Sequence, residues 1–235
     1  MKLLLIISLL SLTNSCMIST QEEENAGSLP STSRPTLTIL VNDISESAEH
    51  VHISIASLRQ LLHFDAVNGG TQLATLLING IGDKQMPWIS SLHQADTTVL
   101  SRTMNIYRRT KIAQKNRGCM ILLDSVLNTW ADTLKTKVLL PKTDGYSDAN
   151  GTFYLLTHLA QAYQAKNYRL RVLIFSDLIQ DMPNNTLLRP IKLPPNAEIF
   201  LIGASPKVDL QRVFPNNKVT LIPVFDAQLF IQKNH

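Results

Sequence analysis

The sequence predicts an α/β protein: three layers, α/β/α, with a mostly parallel central sheet and helices on both faces. Three observations lead there. Several short apolar runs, rich in leucine and β-branched residues and bounded by polar residues or turn formers, read as strands buried on both sides. Between them the apolar period lengthens to the three-and-four spacing of an amphipathic helix. Strands that alternate with helices pair in parallel, because each crossover helix carries the chain back across the sheet.

The first run is Leu37-Thr38-Ile39-Leu40-Val41, followed by Asn42-Asp43-Ile44-Ser45-Glu46-Ser47. Val51, Ile55, Leu58 and Leu62 then recur at helical spacing, so a helix is expected. Asn68-Gly69-Gly70 makes a turn, and Thr71 to Gly80 is a second strand ended by Gly80, Gly82 and Asp83. Lys84 to Asp96 reads as irregular, and Thr97 to Thr103 as a short edge strand. Asn105 to Lys137 has a helical pattern with an interruption expected near Gly118. Its first half carries Arg108, Arg109, Lys111, Lys115 and Arg117; its second half sets Leu123, Val126, Leu127, Trp130 and Leu134 on one stripe. The basic half could face anionic lipid or nucleic acid, but reads better as a solvated helix face, since no aromatic residues interleave to stack on bases.

A turn-rich stretch, 141–152, leads into a helix with Phe153, Leu156, Leu159, Ala160 and Tyr163 on its apolar side. Arg169 to Phe175 is a buried strand ending in Ser176-Asp177, and Pro183 to Pro195 is a long connection. Glu198 to Gly203 is a strand and Val208 to Val213 a short helix. Val219 to Phe225 closes the sheet, with Pro223 marking an edge or a bulge. Together these elements describe a Rossmann-like domain over 36–235.

The start of the chain reads as an address. Met1-Lys2, an apolar run from Leu3 to Leu12, then Thr13-Asn14-Ser15-Cys16 describe a signal peptide over 1–15. The apolar run is too short for a membrane-spanning helix. A cysteine at that point resembles the lipobox of bacterial lipoproteins, in the looser form found in Bacteroidetes, and the Gln21-Glu22-Glu23-Glu24 run resembles that group's surface-export signal. The resemblance implies lipidation of Cys16, attachment to the outer membrane of a bacterial cell envelope and exposure at the surface. Residues 16–35 are polar, hold Pro30 and Pro35, and form a flexible tether. With Cys16 lipidated, the other cysteine, Cys119, has no partner in the chain and reads as a small buried apolar residue.

The formal net charge is +4, about +5 from Thr36 onward, and too diffuse to argue for nucleic acid by itself. The six histidines show no zinc spacing, and no glycine loop cradles phosphate.

Asp43-x-Ser45-x-Ser47 leaves the carboxyl end of the first strand, where open α/β sheets bind ligands. It resembles the first loop of the metal-ion-dependent adhesion site (MIDAS) of von Willebrand factor A (vWA) domains. The resemblance implies two further loops. A threonine before a helix is matched by Asn150-Gly151-Thr152, with Thr143 as rival. An aspartate at a strand end is matched by Asp177, although Leu178 stands where that family places glycine. The implied metal ligands are Asp43, Ser45, Ser47, Thr152 and Asp177, and the implied ion is Mg²⁺ or Mn²⁺, which favours hard oxygen donors. The implied function is non-enzymatic: a surface-anchored binding protein gripping an acidic residue of a protein partner through the metal. A metal-free scaffold subunit of an envelope complex is one alternative. A haloacid-dehalogenase-like phosphatase using Asp43 is the other, disfavoured because its second aspartate would stand where Ser45 does.

Overall fold

The computed structural model describes residues 34–48, 51–79, 84–95, 97, 100, 103–140, 147–179 and 187–231. The signal peptide, most of the tether, Cys16 and Thr143 lie outside the described residues. Six strands form one sheet: β1 (Thr36–Asp43), β2 (Thr71–Ile78), β3 (Trp88–Leu92), β4 (Arg169–Phe175), β5 (Glu198–Ile202) and β6 (Val219–Ile222). Their order is β3-β2-β1-β4-β5-β6. All neighbours pair in parallel except β3, which runs antiparallel to β2. The helices are α1 (Ile55–Asn68), α2 (Ile106–Lys137), α3 (Ala149–Gln164) and the short α4 (Leu210–Val213) and α5 (Gln228–Ile231).

The pleat divides the core in two. Leu37, Ile39 and Val41 of β1, with Leu170, Val172 and Ile174 of β4, face α3 through Phe153, Leu156, Ala160 and Tyr163. Leu40, Leu173, Phe175 and Phe200 face the other way, onto α1 and α2 through Leu58, Leu62, Leu127, Trp130 and Leu134. Helices therefore cover both faces, and the expected three-layer architecture is the one observed. Cys119 is buried, as its sequence setting suggested.

Four expectations are corrected. The edge strand is Trp88–Leu92, within the stretch expected to be irregular, whereas Thr97 and Leu100 lie in no strand. Its residues are half-buried or exposed, so it lacks the continuous apolar run that marks the inner strands. The long helix is not interrupted: α2 runs unbroken for 32 residues. Gly118 weakens a helix only by about 1 kcal/mol relative to alanine, too little to break one anchored by the buried stripe that follows. The first helix starts at Ile55, so Val51 precedes it, and Ser54 caps it by accepting from the Ser57 N–H. The last strand stops at Ile222, before Pro223, and forms the sheet's other margin.

Among the described residues one ion pair is buried in the core. Arg171 of β4 points to the α1 side and pairs with Asp65, both side chains being almost wholly buried. Its Nη1 also reaches the Thr38 hydroxyl, at 3.5 Å, and the guanidinium lies 5.6 Å from the centre of the Phe230 ring.

Candidate metal centre

Because β2 and β4 lie on opposite sides of β1, the direction of winding reverses between β1 and β4. In open α/β sheets that reversal opens a crevice at the carboxyl ends of the strands. Asp43 is the last residue of β1, and Ser176 and Asp177 follow the last residue of β4. The register pairs Asn42 with Phe175, which sets Asp43 beside Ser176.

Asp43 is fully buried. Its Oδ1 accepts from the Ser45 N–H at 2.9 Å and the Ser45 hydroxyl at 2.6 Å. Its Oδ2 accepts from the Ser176 hydroxyl at 2.6 Å. The hydroxyls of Ser45 and Ser47 lie 3.1 Å apart. Ser47 is exposed and gives this cluster its edge on solvent. Burial raises the Asp43 carboxyl above its ordinary value, outweighing the hydrogen bonds from Ser176 and Ser45 that pull it down; the nearby Asp177 charge adds to the rise.

Asp177 is buried, and its Oδ1 accepts from the Ile179 N–H at 3.0 Å. Thr152 lies in the first turn of α3, where Asp148 rather than Thr152 caps the helix by accepting from the Gly151 N–H. The Thr152 hydroxyl donates toward the Leu77 carbonyl at 2.9 Å and the Asp148 carbonyl at 3.1 Å, and accepts from the Gln85 amide at 3.2 Å. Thus Asp43, Ser45 and Ser47 come together with Asp177 close enough for its charge to be felt, while the Thr152 hydroxyl is bonded to the end of β2.

Ser176 was missed in the sequence. The signal was the strand register: a hydroxyl one residue past β4 lies beside an aspartate ending β1. Ser176 also accepts from the Leu178 N–H at 2.8 Å, so it shapes the loop that carries Asp177.

Leu178 has φ +61°, the left-handed region that glycine occupies without cost. The loop thus keeps a glycine-like backbone with a leucine in place, and the leucine side chain is 2% exposed within the α3-side core. Burial of roughly 2 kcal/mol offsets a left-handed strain of about 1 kcal/mol. Leu178→Ala is therefore expected to destabilise by more than Leu178→Gly, with about 1 kcal/mol between them, because alanine loses the packing and keeps the strain. Denaturant melts of the two variants check this; an alanine variant as stable as the glycine variant would refute it.

The donor chemistry fits a hard divalent cation. Asp43 and Asp177 supply charge, Ser45 and Ser47 supply neutral oxygens, and among the described residues no thiolate or imidazole joins the cluster.

No family model matches this sequence, and no curated protein matches it. Among solved structures the chain is similar to the VWA domain of SpRpn10, at 14% identity over 84% of this chain and 94% of that chain, with a TM-score of 0.37. A likeness that loose sets up no correspondence between residues.

Proposed function

We propose that this domain is a non-enzymatic binding module that engages an acidic group of a protein partner through a divalent cation, Mg²⁺ or Mn²⁺, at Asp43, Ser45, Ser47 and Asp177. One observation carries the reading: a buried aspartate with two serine hydroxyls gathered at the winding reversal of the sheet, beside a second aspartate. When bound, such an ion supplies an electrophilic centre that a carboxylate from outside can complete. The chain's own residues do the rest. Asp43 and Asp177 hold the charge, Ser45 and Ser47 orient the opening, and Ser176 fixes the Asp43 carboxylate in place. Thr152 joins the set only by giving up its bonds to Leu77 and Asp148. The signal-like start and Cys16 support a location at a cell envelope, with a lipid anchor in the outer membrane.

Titration calorimetry of the chelator-stripped protein tests the reading. Mg²⁺ or Mn²⁺ is expected to bind one site in the wild type and at least about tenfold more weakly in Asp43→Ala, since a hard cation loses its buried charge partner. Equal and negligible heats in both would end the metal claim. Protons compete with the ion for Asp43, and burial raises that group. The thermal stabilisation given by Mg²⁺ should therefore be full at neutral pH and shrink as the pH falls through the raised value, above the ordinary 3.8.

A metal-free scaffold subunit is the second reading, and a specific observation favours it. Both Asp43 oxygens already accept hydrogens from serine hydroxyls, so the cluster is internally satisfied. Partner capture that survives chelation selects this reading over the first.

A further inference from the structure

The first part of α2 is built unlike the rest of the molecule. No residue from Ile106 to Gly118 is buried; the packed stripe begins at Cys119. Thirteen residues at 1.5 Å each make a rod of about 20 Å, exposed except for the half-buried Ile112 and Asn116. The rod carries Arg108, Arg109, Lys111, Lys115 and Arg117, all exposed, and no carboxylate occurs before Asp124. Arg108, Arg109, Lys111 and Arg117 take part in no ion pair among the described residues.

Local electrostatics work against this arrangement. Cations in the first turn oppose the positive end of the helix dipole. Lys111 and Lys115 are like charges one turn apart, which destabilises a helix further. A surface of opposite charge reverses both penalties.

The shape of the charge selects the kind of surface. At 100° per residue, Arg108 and Arg117 lie on opposite sides of the rod, so the cations encircle it instead of forming a stripe. A nucleic-acid groove needs a stripe or one basic face, and only Tyr107 is available for stacking on bases. The end of the rod, by contrast, is apolar: Ile106 is 83% exposed and Tyr107 78%. An apolar tip behind which a cationic collar runs all the way round matches the layering of a bilayer surface, with phosphates outside and hydrocarbon beneath.

We propose that the projecting start of α2 docks tip-first on a lipid bilayer bearing anionic headgroups. Ile106 and Tyr107 enter the headgroup layer, and Arg108, Arg109, Lys111 and Arg117 meet the phosphates. This contact is independent of the metal reading, so the test is run in chelator. The full chain with Cys16→Ser, which removes any acyl anchor, is sedimented with vesicles of phosphatidylcholine with and without phosphatidylglycerol. Binding is expected on the anionic vesicles, weak on the neutral ones, and lost in high salt. Each cation removed should cost about fivefold, so Arg108→Ser/Arg109→Ser/Lys111→Ser/Arg117→Ser should abolish binding. None of these side chains is buried, and the variant's circular dichroism and melting should match the parent's. Ile106→Ser/Tyr107→Ser should weaken binding about tenfold, as apolar area is no longer buried. Equal binding to both vesicle types, no vesicle binding, or capture of duplex DNA without vesicle binding would each overturn the proposal. Unchanged binding of the Ile106→Ser/Tyr107→Ser variant would overturn the tip-first mode.

Discussion

Gly203→Ala is expected to destabilise the domain by about 2–4 kcal/mol, with loss of any function that depends on Ser45 and Ser47. Two costs add. Gly203 has φ +86°, where an alanine is strained by roughly 1 kcal/mol. A Cβ there would also strike the Val51 side chain, closer than real carbon atoms approach. Val51 is buried and β-branched, so its side chain has little freedom to move aside. The obstruction lies at the end of β5, while the displaced residue belongs to the chain just past Ser45 and Ser47. Chemical denaturation should show a lowered midpoint, and Val51→Ala should restore part of the loss by making room. No rescue by the double variant would show that backbone strain alone is responsible.

Asp65→Ala is the second large expectation, at about 3–5 kcal/mol. It leaves the almost wholly buried Arg171 charge with its strongest partner gone. Asp65→Ala/Arg171→Met should recover most of that loss, since an apolar chain of similar length fills the space without a charge to solvate. A double-mutant cycle by denaturant melt measures both. A single Asp65→Ala variant within about 1 kcal/mol of wild type would mean that Arg171 finds another partner or reaches solvent.

The inner strands were legible because a strand covered on both faces has no reason to alternate. Leu37–Val41, Leu170–Phe175 and Ile199–Ile202 are nearly continuous apolar runs for that reason. Trp88–Leu92 sits at a margin, keeps polar residues and looks like loop. The long helix is legible from its Leu123–Leu134 stripe, and Gly118 does not break it because the propensity cost of one glycine is small beside that packing. At the candidate site, Asp43, Ser45 and Ser47 were readable because they are close in sequence. Ser176 was not, since its role depends on register between strands separated by more than a hundred residues. The left-handed backbone at Leu178 was equally hidden, because a buried leucine outwardly signals packing, not a turn. Thr152 was expected before the helix but lies inside it, since the helix begins at Ala149, and which acceptor its hydroxyl chooses depends on the end of β2.

The short final strand has a bearing on solubility. β6 offers only four residues along the open side of the sheet, and the chain then meets Pro223, which has no N–H to lend. A foreign strand arriving there finds too few bonds to repay its ordering. A mostly parallel sheet with such a stub for a border resists stacking into fibrils, even with Leu221 and Val224 in contact with water beside it.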